Sequence, residues 1–98
     1  MRYGQFEWDE SKNNINLIKH GITFQEASTV FEDFRAVIVD DYRHSKSEER
    51  FVIIGKSKKE RLLMVCHCYR DSRVGEIIRI ISARKAGKSE YDIYGGDI

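Results

Sequence analysis

Residues 44–50 read HSKSEER, packing a histidine, two serines, a lysine, two glutamates and an arginine into seven positions. A turn between strands needs polar residues, but this density of proton-transfer and phosphate-binding groups exceeds what a turn requires. His44 and Glu49 can move a proton, and Arg50 can clamp two phosphate oxygens through its planar guanidinium. A second group lies upstream, where Lys12, Asn16 and Lys19 recur at helical spacing with His20 beside them. On a helix they form one cationic, hydrogen-bonding stripe, next to a sector in which Ile15 and Ile18 are expected to be buried. Lys19 and His20 at a helix C-terminus also complement the helix dipole, so a plain solvated face is the competing interpretation. A third group is Arg79, Ser82 and Arg84 within RIISARKA, residues 79–86. Strict alternation puts Ser82 and Arg84 on the face of Ile78 and Ile80 and turns Arg79 away, which makes Arg84, at the strand end, the better site candidate.

These groups need a scaffold, and the sequence predicts one. Asp9 caps a helix running through Lys19, and Gly21 ends it in a left-handed conformation. Thr23 and Glu26 form a capping box, with Ile22 placed to staple against Ala27, so a second helix is expected from Phe24 to about Phe31. Its buried stripe is Phe24, Ala27, Val30 and Phe31. The pattern then turns to short β-rich runs at residues 36–40, 51–55, 62–69 and 76–82. Residues 85–94 are expected to form a final helix, weakened by Gly87, and residues 95–98 to fray. The expected fold class is therefore α+β: two N-terminal helices, a four-stranded antiparallel sheet and a short C-terminal helix. One sheet face is covered and the other is partly open, and the open face is the natural place for a site.

Composition bounds the function classes. With 98 residues the chain fits one domain, residues 1–98, without room for a separate cofactor-binding lobe. A hydrophobic fraction of 41% and a formal net charge of +1 argue for a folded protein and against a strongly basic nucleic-acid binder, so any nucleic-acid site must arise from local clustering. Residues 56–61 and 84–88 are such clusters. No apolar run is long enough for a signal peptide or membrane span, which points to the cytoplasm and to no membrane partner. Cys66 and Cys68 flank His67, and a strand turns the thiols to one face and the imidazole to the other. Two buried free thiols, no metal and no cofactor are therefore expected. Alternation also gathers Arg61, Leu63, Val65, His67 and Tyr69 on one face, polar at its ends.

The motifs FEWD at residues 6–9, KHG at 19–21, HSKSEER and RIISARKA, in this order, resemble the BrnT family of toxin endoribonucleases. The similarity runs through FEWDESKNNINLIKHGITFQEASTVFED and HSKSEERFVIIGKS to RIISARKA, with Glu90 and Tyr94 beyond it. It departs at Phe34, where a proline is usual, and in the hairpin at 69–76. The resemblance implies a RelE-like fold and a type II toxin that cuts RNA without a metal. It also implies neutralisation by a ribbon-helix-helix antitoxin of the BrnA type, with operator DNA reached only through that antitoxin. RNA cleavage requires the 2′-hydroxyl to lose a proton, the 5′-oxygen to gain one, and phosphate charge to be stabilised. For the acid and base, His20 and His44 are the first candidates and Lys19 and Glu49 the competitors. Arg50, Arg61 and Arg84 are the expected charge stabilisers, Lys12, Asn16, Arg61 and Tyr69 are expected to bind substrate, and Tyr69 and Trp8 offer rings for base stacking, although a lone Trp in a small domain is more often a core residue. The alternative is a non-catalytic module that binds the antitoxin and acts as a co-repressor.

Overall fold

The computed structural model describes residues 2–95. The chain runs β1 (Arg2–Tyr3), β2 (Phe6–Glu7), α1 (Glu10–His20), α2 (Phe24–Ser28), a 3-10 turn (Thr29–Glu32), β3 (Val37–Asp40), a second 3-10 turn (Tyr42–His44), β4 (Phe51–Lys56), β5 (Leu62–Ser72), β6 (Gly75–Lys85) and α3 (Lys88–Tyr94). The fold is α+β, but the expected four-stranded antiparallel sheet is a six-stranded mixed one, in the order β1-β2-β6-β5-β4-β3 among the described residues. Two-residue strands carry too little periodicity to be read from sequence: β2 pairs parallel with β6 through Phe6 opposite Ile78 and Glu7 opposite Arg79. Glu7 fastens this edge, accepting from Arg70 Nε at 2.6 Å and Arg79 Nη1 at 3.1 Å. Those hydrogen bonds, Arg70's foremost, pull its carboxyl down to about 2.

The helix caps form where their residue types demand. Asp9 Oδ1 accepts from the Lys12 amide at 3.1 Å, and Gly21 adopts φ 71° while its N–H bonds Leu17 O at 2.8 Å. Thr23 Oγ1 accepts from the Glu26 amide. The expected capping box is only half made, because the Glu26 carboxylate is held by Ser57 Oγ at 2.7 Å and by the Arg61 guanidinium. The second helix is also shorter than expected: its last turn tightens into the 3-10 geometry of Thr29–Glu32. The C-terminal helix begins three residues later than expected, at Lys88. The expected fraying reaches residues 96–98, which lie outside the described residues.

Trp8, Ile22, Phe24, Ala27, Val30, Ile53, Leu63, Val65, Ile80 and Ala83 form the core between α1, α2 and one sheet face. Helix α1 contradicts its expected burial. Ile15 and Ile18 are 56% and 85% exposed, whereas Asn13 and Asn16 are buried. The reason is hydrogen bonding. Asn16 donates to Ile22 O and Ala83 O and accepts from the Ala83 amide, and Asn13 Oδ1 accepts from the Phe24 amide. The helix docks through amides that replace backbone partners, which leaves its isoleucines outside. On the opposite sheet face, Val52, Ile54 and Tyr94 make a smaller cluster with Leu62 and Met64, so α3 covers one end of that face.

The β5–β6 hairpin continues past the expected ends, to Ser72 opposite Gly75. Its ladder holds one irregularity: Cys66 faces Ser82 while His67 faces Ile80, which leaves Ile81 as an extra residue in β6. This bulge corrects the predicted faces. Ile80 shares the core face with Ala83, opposite Val65, whereas Arg79, Ser82 and Arg84 lie opposite Cys68, Cys66 and Met64 on the other face. His67 points into the core, fully buried, with Phe31 edge-on at 4.9 Å and Tyr69 Oη 3.1 Å from its Nε2. Burial holds its imidazole below the usual range.

Candidate functional site

The sheet face left open between α1 and α3 forms a groove. Its floor is Met64 and Cys66 of β5 with Ile81, Ser82 and Arg84 of β6, and its main compartment, about 620 Å³, is bounded by Asp41, Arg43, His44, Arg50, Ser89 and Glu90. Two smaller depressions continue it past Ser82 to α1, where Lys12, Ile15, Asn16, Lys19 and His20 make the other wall. The bulge at Ile81 is what turns Ser82 and Ile81 together toward this space. Five cations, Lys12, Lys19, Arg43, Arg50 and Arg84, line the groove against two carboxylates, Asp41 and Glu90. The field in the groove therefore favours an anion despite the near-neutral chain.

The groove's side chains are anchored locally. Arg84 Nη1 donates to Glu90 Oε1 at 3.2 Å and to Lys85 O at 3.0 Å. Glu90 is fixed in turn by the Gly87 amide at 2.6 Å, whose hydrogen bond is the main reason its carboxyl lies below the usual range. Arg50 donates from Nη2 to Glu48 Oε1 at 3.4 Å, and its backbone amide bonds Ser45 Oγ at 3.0 Å. His44 Nδ1 lies 3.0 Å from both carboxylate oxygens of Asp41. Cys66 is a free thiol whose Sγ is 3.5 Å from Asp41 Oδ2. Burial, reinforced by that carboxylate, pushes it up to about 11, so it stays protonated near neutrality and is a poor nucleophile.

The residues singled out from the sequence divide by position. Lys12, Asn16, Lys19, His20, His44, Arg50 and Arg84 line the groove, although the buried Asn16 amide is already engaged with Ile22 and Ala83. Glu49 is exposed and outside the lining, and its neighbour Glu48 takes the arginine. Arg61 lies behind α2, paired with Glu26 and donating to Gly21 O. Tyr69 faces the core side beside Phe51 and His67. Trp8 is a core residue, set edge-on to Phe24. Asp41, Arg43 and the floor residue Cys66 were not among the expected site residues, and Ser82, noted beside Arg84, joins it on the floor. Asp41 carried a signal, since an acid three residues before a histidine at a strand end can reach its ring. Among the described residues, no three His, Cys, Asp or Glu side chains gather as a metal site, and no helix is long and apolar enough to cross a membrane.

Comparison with known proteins gives two findings. The family model described as "Ribonuclease toxin, BrnT, of type II toxin-antitoxin system" matches residues 8–90. Among solved structures, the crystal structure of the Brucella abortus ribonuclease toxin BrnT is similar, with 28% identity, a TM-score of 0.64, and coverage of 85% of this chain and 96% of that one. No curated protein matched in sequence.

Proposed function

The chain belongs to the BrnT family of ribonuclease toxins of type II toxin-antitoxin systems, and from that premise we propose that it cleaves RNA by attack of the 2′-hydroxyl without a metal. The observation that carries the proposal is a run of adjoining depressions on one sheet face, lined by two imidazoles, His20 of α1 and His44 of the 41–50 segment, and by two arginines, Arg50 and Arg84. His44 accepts the 2′-hydroxyl proton, the 2′-oxygen attacks phosphorus, and the bond from phosphorus to the 5′-oxygen breaks as His20 supplies its proton. Arg50 and Arg84 stabilise the charge that accumulates on the phosphate oxygens, and Lys12 and Lys19 hold flanking phosphates. Glu90 keeps Arg84 aimed into the groove until a phosphate competes for it.

The products carry the signature of this route. A 2′-hydroxyl attack leaves a 2′,3′-cyclic phosphate on one fragment and a 5′-hydroxyl on the other, whereas direct attack by water leaves no cyclic end. End-labelling of the fragments made by the purified protein distinguishes the two, and 5′-phosphate ends would refute the proposed chemistry. The reading extends to a RelE-like single domain acting in the cytoplasm. It also extends to neutralisation by a BrnA-like ribbon-helix-helix antitoxin, through which alone the protein reaches operator DNA. Co-purification with such an antitoxin, and loss of cleavage in the complex, test that part.

A further inference from the structure

We infer that Asp41 is the positioning residue of the site: it sets the tautomer and aim of His44. This rests on the reading of His44 as the proton acceptor. The two side chains differ in exposure, the Asp41 carboxylate being 14% exposed and the His44 imidazole 63%. Asp41 is the fixed member. Its amide bonds Arg50 O at 2.9 Å, its carbonyl accepts from Ser45 Oγ at 2.7 Å and from the His44 amide at 3.2 Å, and its Oδ2 accepts from the Cys66 thiol. The segment therefore folds around Asp41, and the ring rests against it.

An ionised carboxylate only accepts hydrogen bonds, so with both its oxygens 3.0 Å from Nδ1 the neutral imidazole carries its proton there. That leaves Nε2 with a lone pair that can take a proton from a hydroxyl in the groove, which His44 lines. Once Nε2 is protonated, the carboxylate stabilises the imidazolium. Without Asp41, an exposed imidazole samples both tautomers and several rotamers, and only a fraction of molecules is competent at any moment. The Cys66 contact adds a reason for a thiol on the groove floor: as a protonated donor it occupies the second lone pair of Oδ2 and steadies the carboxylate.

The test compares wild type, Asp41→Asn, Asp41→Glu and His44→Ala by cleavage kinetics on a defined RNA. It pairs them with long-range 1H–15N correlation of the His44 ring at a pH where the imidazole is neutral. The expected result for Asp41→Asn is a fall in kcat of at least about tenfold with KM within about twofold, together with loss of the single Nδ1–H tautomer. Asp41→Glu keeps a carboxylate and is expected to restore the tautomer and part of the rate; if Asp41→Asn does not fold, Asp41→Glu and wild type still decide the tautomer. An inactive His44→Ala beside an Asp41→Asn protein of wild-type rate or tautomer overturns the role of Asp41 alone. A His44→Ala protein that cuts like wild type overturns the reading of His44, and this inference with it.

Discussion

Two arginines of the groove carry the sharpest demands at the scale of single residues. Arg84 enters the groove from β6 and Arg50 from the start of β4, each held by a carboxylate that a phosphate can replace. Lysine keeps the charge but loses the planar fork, so Arg84→Lys and Arg50→Lys are each expected to lower kcat/KM on RNA by at least about tenfold while thermal unfolding stays unchanged. Circular dichroism melts beside cleavage rates check both halves of that expectation. The sequence made these residues visible because histidine, lysine and arginine in short motifs carry their chemistry openly. It could not make visible which of them meet. Arg61 and Arg84 look alike in the sequence, yet one is spent on Glu26 and a helix end and the other opens on the groove.

At the scale of elements, α1 is the instructive case. Its caps were legible because Asp9 and Gly21 act locally, while its buried face was misread because the asparagines satisfy distant backbone groups. Asn16 bonds Ala83, 67 positions away. Asn16→Ala leaves those buried groups unpaired and is expected to cost about 1–3 kcal/mol, whereas Ile18→Ser, at an 85% exposed position, is expected to stay within about 0.5 kcal/mol. Denaturant unfolding of both variants decides between amide docking and a greasy one. The β6 bulge was illegible for the same reason, since a skipped residue at Ile81 reassigns faces without altering the local pattern. Glu7 adds a pH signature to the short parallel strand. Its folded-state value near 2 lies below the ordinary 4.5, so its stabilising contribution is complete above about 4.5 and is lost as pH falls toward 2. Glu7→Gln is expected to lower stability at neutral pH and to flatten its decline across that acid window, as followed by urea midpoints.

Across the whole molecule, a chain of net charge +1 still gathers five of its 17 lysines and arginines along one groove. Lys12, Lys19, Arg43, Arg50 and Arg84 border one groove, while Arg61, Arg70 and Arg79 are tied to Glu26 and Glu7. Affinity for single-stranded RNA should therefore fall steeply with salt, and Lys12→Ala should reduce the slope of log K against log salt by about 0.7. Fluorescence titration at several salt concentrations measures it. The overall plan, helices then a meander then a helix, was legible from periodicity and turn residues; the two-residue strands β1 and β2 were too short to be. The proposed chemistry requires the groove to cut RNA by itself. Its most direct test is incubation of RNA with the purified protein in excess EDTA, beside Arg84→Ala and beside wild type saturated with its antitoxin. Cutting is expected from wild type alone. Intact RNA in every lane from folded protein, or cutting that EDTA abolishes, would overturn the proposed chemistry.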